Sequence, residues 1–167
     1  MMWPIVLLIA TPFLIGVSGL VVRNRQSFDV LHCVQAGIMV ISSMLLVDAV
    51  SVNGPVSFLF FLRADALSAW FDLGIGIVAA TGTLYAVGYM GEQYDRGHVS
   101  LTQFRHFFIL FDLYLAVMLL AVNVENLGIM WIAIEGATLS TALLVGFERN
   151  KGALEAGWKF VILSSVG

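Results

Sequence analysis

The chain has 167 residues, 60% of them hydrophobic and only 11% charged, with a formal net charge of -3. A mean hydropathy of +0.96 is more than a water-soluble domain needs, so the composition specifies an all-α integral membrane protein that crosses the bilayer several times. The near-neutral charge offers no nucleic-acid-binding face, and a single cysteine, Cys33, rules out an internal disulfide and a four-cysteine metal site.

The first apolar run, from about Trp3 to Val22, lacks cations before it and is followed by Arg23 and Arg25. It reads as a retained span with the N-terminus outside, not as a signal peptide. Pro4 opens it, and Pro12 predicts a kink. A second span runs from about Phe28 to Val47 and holds His32 and Cys33. His32 lies close enough to the end to reach the headgroups, the alternative being a proton relay. Cys33 is expected to be a buried thiol. Between Ala49 and Asp65 the turn residues Asn53, Gly54 and Pro55 predict an outside loop, with a short hairpin or a surface helix.

The third span covers about Ala66 to Tyr89 and contains Asp72; Gly82 and Ala86 suit close helix contact. A polar stretch with Arg96, His98, Arg105 and His106 reads as a solvated loop before a fourth span from about Phe107 to Val122, which contains Asp112. A short turn leads into the fifth span, from Glu125 to Gly146, and another into a sixth from Ala153. These six spans make residues 1–103 a three-span N-terminal portion and 104–167 the start of a second, truncated portion whose last helix is incomplete. With the N-terminus outside, Arg23, Arg25, Arg96, Arg105, Arg149 and Lys151 fall inside and only Arg63 outside, as the positive-inside rule demands.

Glu135 stands near the middle of the fifth span. A charged carboxylate at that depth costs about 2.5 to 3.5 kcal/mol on insertion scales, so a chain that keeps an acid there has a use for it. Proton transfer is one use; the other reading is a neutral acid hydrogen-bonded to a neighbouring helix. Lys159 lies two turns into the sixth span, within reach of Glu135 through the tight turn, or of Glu155 as a local i,i+4 pair. Asp72 and Asp112, each about two turns from a helix end, are candidate proton-path groups or interfacial carboxylates. No cofactor or metal motif accompanies them.

The runs ENLGIMWIAIEGATLSTALLVGF and ALEAGWKFVILSSVG, with FLRADALSAWF and LYAVGYM upstream, resemble the antiporter-like membrane subunits of the complex I and membrane-bound hydrogenase superfamily. They look most like the hydrogenase-4 and formate hydrogenlyase type. The resemblance covers most of the chain after about Leu62. It implies a subunit conducting protons or sodium ions beside the other membrane subunits of a redox-driven complex in the cytoplasmic membrane. It also implies that Glu135 matches a fifth-helix glutamate, whose lysine partner lies on a seventh helix, and that Lys159 matches an additional lysine near that pair. Relatives continue in two inverted bundles, so the chain looks like an N-terminal part. Asp72 and Asp112 depart from the usual pattern. A non-transporting scaffold subunit and a component of an Mrp-type cation/proton antiporter are the competing readings.

Overall fold

A computed structural model describes residues 3–22, 24–148 and 150–166. Among them are six helices: α1 (Trp3–Ser18), α2 (Arg25–Asn53), α3 (Ala66–Asp95), α4 (Leu101–Asn123), α5 (Leu127–Val145) and α6 (Lys151–Val166). Helices α2 to α5 are each long and apolar enough to cross a membrane, and α1 is a shorter apolar helix that continues through Pro12. The architecture is that of an all-α integral membrane protein. Arg23 and Arg149, two of the cations counted for orientation, lie outside the described residues.

Between α2 and α3 the chain forms the expected hairpin, β1 (Val56–Phe58) against β2 (Leu62–Ala64), antiparallel with Ser57 opposite Arg63. It starts later than the composition of the loop suggests, because α2 runs on to Asn53. Gly54 then stops the helix with φ at +75°, where a side chain would be strained, and its N–H donates to the Val50 carbonyl at 2.9 Å. The hairpin is tied down at its far side. Leu62 bridges to Val124, and the Glu125 N–H donates to the Phe61 carbonyl at 2.8 Å.

Helix α4 also differs from expectation, beginning six residues before Phe107. Ser100 and Gln103 form a capping box, worth about 1 kcal/mol, that starts the helix inside the polar stretch. Arg105 and His106 are therefore helical. Arg105 reaches past the end of α1, Nε donating to the Gly19 carbonyl at 2.7 Å and Nη2 to that of Leu20 at 2.6 Å. The carbonyls of the turn just past α1 thus find a cationic partner, whose charge at that end also suits the helix dipole.

Two apolar clusters fill the interior. Phe28, Ala86, Met90, Phe104 and Phe108 occupy the end where α2 begins, while Ile5, Leu8, Met39, Leu46, Leu115 and Leu119 extend toward the hairpin. Small residues let the helices approach: a Cβ on Gly76 of α3 would come within 2.7 Å of Ser43 Oγ on α2, and one on Gly157 of α6 within 3.0 Å of the Ala142 carbonyl on α5. Polar groups interrupt the apolar interior at two levels.

Candidate functional site

The central residue of the 23-residue helix α4 is Asp112, fully buried. This corrects its expected depth. The sequence put it two turns from a helix end because the polar residues before Phe107 looked like loop; the longer helix puts it three turns from either end. Its carboxylate meets α2, where His32 Nε2 lies 3.0 Å from Oδ2 and Gln35 Nε2 donates to Oδ1 at 2.7 Å. On the α1 side, a Cβ on Gly16 would approach Asp112 Cβ to 3.0 Å, so the backbone of α1 closes the pocket from that direction.

His32 is likewise fully buried and does not reach the headgroups. Its Nδ1 faces the Phe28 carbonyl at 2.9 Å, and its ring packs at 4.5 and 4.4 Å between centroids on Phe28 and Phe108. The reason is helix phase. Phe28, His32, Gln35, Ala36, Met39, Ser42, Ser43 and Leu46 form the buried stripe of α2, at the i, i+3, i+4 spacing of one helix face. Cys33, one residue off that stripe, is exposed, contrary to its expected burial. Gln35 was the signal to read in the sequence. A glutamine three residues from a histidine inside an apolar span marks a polar face, and a polar face at that depth calls for a partner.

The second polar level lies near the hairpin. Asp72, also fully buried, accepts a 2.9 Å hydrogen bond through Oδ1 from Asn123 Nδ2, which is shared with the Leu119 carbonyl at 2.9 Å. Asp72 Oδ2 and Asn123 Oδ1 are buried without a partner among the described residues. The α4 C-terminus is held there as well, since Ser68 Oγ donates to the Val122 carbonyl at 3.0 Å.

Glu135 is placed differently. It is half-buried, one residue before the middle of α5, and forms no hydrogen bond or ion pair with the described residues. Thr138 and Ser140 turn their hydroxyls back to the helix, donating to the carbonyls of Ile134 at 3.1 Å and Gly136 at 2.8 Å. Lys159 pairs at 2.5 Å with Glu155, the two side chains 66% and 65% exposed, so it is not brought to Glu135. Trp131, Ile132, Leu139 and Leu143 of α5 and Trp158 and Leu163 of α6 are all exposed. Between α4, α5 and α6 runs an open groove of about 550 Å³ lined mainly by apolar side chains, including Leu143, Phe147 and Trp158. No cluster of three or more His, Cys, Asp or Glu side chains suited to a metal occurs among the described residues.

Apolar helices of spanning length around enclosed carboxyls define a multi-pass membrane protein. No protein-family model matches the chain. It is homologous, however, to named components of hydrogenase and quinone oxidoreductase complexes. It is 39% identical over 107 residues to the hydrogenase-4 component F homolog of Methylacidiphilum infernorum, covering 64% of this chain and 22% of that relative. Over 109 residues it is 38% identical to NADH-quinone oxidoreductase subunit L of Mycobacterium tuberculosis, covering 65% of this chain and 16% of the relative. A match of 26% over 165 residues, 98% of this chain and 31% of the relative, joins it to NAD(P)H-quinone oxidoreductase subunit 2 of Gloeobacter violaceus. The chain thus spans less than a third of the length of these curated relatives. The resemblance to membrane subunits of hydrogenase and quinone oxidoreductase complexes is borne out.

Proposed function

We propose that this chain is part of a proton-translocating, antiporter-like membrane subunit of a hydrogenase or NADH-quinone-oxidoreductase-like complex in the cytoplasmic membrane. Glu135 is its intramembrane proton-transfer carboxyl. The observation that carries this reading is the setting of Glu135: an acid near the middle of a spanning helix, unpaired among the described residues, with the Thr138 hydroxyl on its face turned back to the Ile134 carbonyl. A carboxyl there is costly unless a partner or a proton compensates it. The named relatives supply the context of a redox complex. Lys159 belongs to the same path, exchanging its local pairing with Glu155 for a role near Glu135, and Asp112 and Asp72 are further proton-path groups. The cation-rich end of the bundle, with Arg25, Arg96, Arg105 and Lys151, faces inward.

The test is Glu135→Gln in the assembled complex. Proton transfer driven by the redox reaction should be lost while electron transfer to a soluble acceptor persists. Undiminished pumping would reject the role of Glu135 and favour a non-transporting scaffold, with the exposed faces of α5 and α6 packing against neighbouring membrane subunits.

A further inference from the structure

The hydrogen bonds around His32 fix a proton count. The Phe28 carbonyl at 2.9 Å can only accept, so Nδ1 carries a hydrogen. Asp112 Oδ1 is already engaged by Gln35, and Oδ2 faces Nε2 at 3.0 Å. With Nδ1 protonated, Nε2 and Oδ2 would oppose lone pair to lone pair unless one more proton lies between them. Imidazolium with carboxylate, and imidazole with carboxylic acid, contain the same number of protons and have the same net charge of zero. We infer that His32 and Asp112, oriented by Gln35, form a binding site for one proton held between Nε2 and Oδ2, separate from Glu135. Uptake takes a proton from water and turns an anionic pair into a neutral one; release reverses this.

The enclosure selects a proton over other cations. Phe28 and Phe108 wall the histidine, Phe104 packs on both of those rings, and Gly16 closes the carboxylate side. Helix α1 contributes no titratable side chain. On α2 and α3, Arg25, Asp29, Tyr94 and Asp95 gather beyond Phe28 and engage one another, the Asp29 carboxylate also lying within electrostatic reach of His32, while Asp72 belongs to the hairpin end. On α4, Arg105 serves the α1 carbonyls, His106 lines the outer groove and Tyr114 packs with the hairpin-side cluster. The titratable group on α5 is Glu135. Among the described residues no lysine or arginine reaches the pair, so its anionic form has no fixed countercharge.

The pair also has a polar side. Gln35 Oε1 and Thr83 Oγ1 are both buried and lack partners among the described residues. Thr83 lies on the face of α3 that meets α2, between Gly76, which abuts Ser43, and Gly91, which abuts Arg25. That places it along the stretch of the seam that Gln35 occupies, and proton exchange is assigned to this seam.

Holding a proton does not depend on the transport reading; using it for transport does. Infrared difference spectra across a pH titration, recorded on the full-length protein in nanodiscs with isotope-labelled histidine, separate the two. Wild type should show one titrating proton shared by a carboxyl and an imidazole. That signal should be lost in both D112N and H32Q, kept in E135Q, and slowed in its exchange with deuterated water in T83V. If D112N does not fold, H32Q and the labelled wild-type spectrum carry the test. A His–Asp signal that is constant over the whole range in which the fold persists, or a titration that survives H32Q, would overturn the proposal. Normal pumping by E135Q with the titration still dependent on His32 would reject the transport role of Glu135 and leave the site standing.

Discussion

Asp112 and Glu135 occupy matching positions, the middle of α4 and of α5, yet the fold treats them in opposite ways. Asp112 is enclosed, with a histidine, a glutamine and the backbone of α1 around it. Glu135 sits half-buried on a helix with few enclosed side chains, without a partner among the described residues. An intramembrane carboxyl can therefore be a finished internal site or one left for other surfaces to complete. Burial by neighbouring helices, and not depth in the span, makes the difference.

The largest expected effect comes from breaking the finished site. Asp112→Ala strands His32 and Gln35 in an apolar interior and should cost about 3 to 5 kcal/mol, as removal of one member of a buried pair does. Glu135→Ala removes no contact within the described residues and should change stability by less than about 1 kcal/mol. Reversible unfolding in bicelles would read both, and equal losses would erase the contrast.

Helix spacing offers a second, smaller test. Gly76→Ala forces a Cβ to 2.7 Å from Ser43 Oγ and 3.2 Å from the Met39 carbonyl. Separating α2 from α3 should cost about 1 to 3 kcal/mol. Gly136→Ala meets Val117 at 3.4 Å, near ordinary contact, and should fall within about 0.5 kcal/mol of wild type.

The smallest effect is pH-dependent and lies at the hairpin. Asp65 caps α3, and the Ser68 N–H donating to its carboxylate at 2.9 Å holds that group below the usual aspartate range. A carboxyl depressed in the folded state contributes stability above its unfolded value, about 3.9, and loses it as pH falls through the folded value. Asp65→Ala should thus be slightly less stable than wild type at neutral pH, with the gap narrowing in acid. A gap that is constant with pH would show that the cap acts without its charge.

Much of this was legible in the sequence for physical reasons. Asn53, Gly54 and Pro55 announce the break after α2, and long apolar runs announce the helices. The start of α4 was legible too, since Ser100 and Gln103 have the capping-box spacing, but Arg105 and His106 made the first turns look like loop. Arg105 is tolerated there because its long side chain reaches the α1 carbonyls. The pairing of His32 with Asp112 was not legible. The two are 80 residues apart, and their meeting depends on which stripe of α2 faces α4. The local pairing of Lys159 with Glu155 could be read, because i,i+4 geometry needs no tertiary knowledge.

The clamps at the two ends of α4 have a mechanical consequence. Arg105 anchors its first turns to α1, while Asn123 and the carbonyl of Val122 are bound to α3, and the hairpin grips the chain just beyond at Val124 and Glu125. A helix fastened at both ends to different neighbours cannot slide or turn without releasing several hydrogen bonds together. The depth of Asp112, and its register against His32 and Gln35 of α2, are thereby set from both ends of its helix.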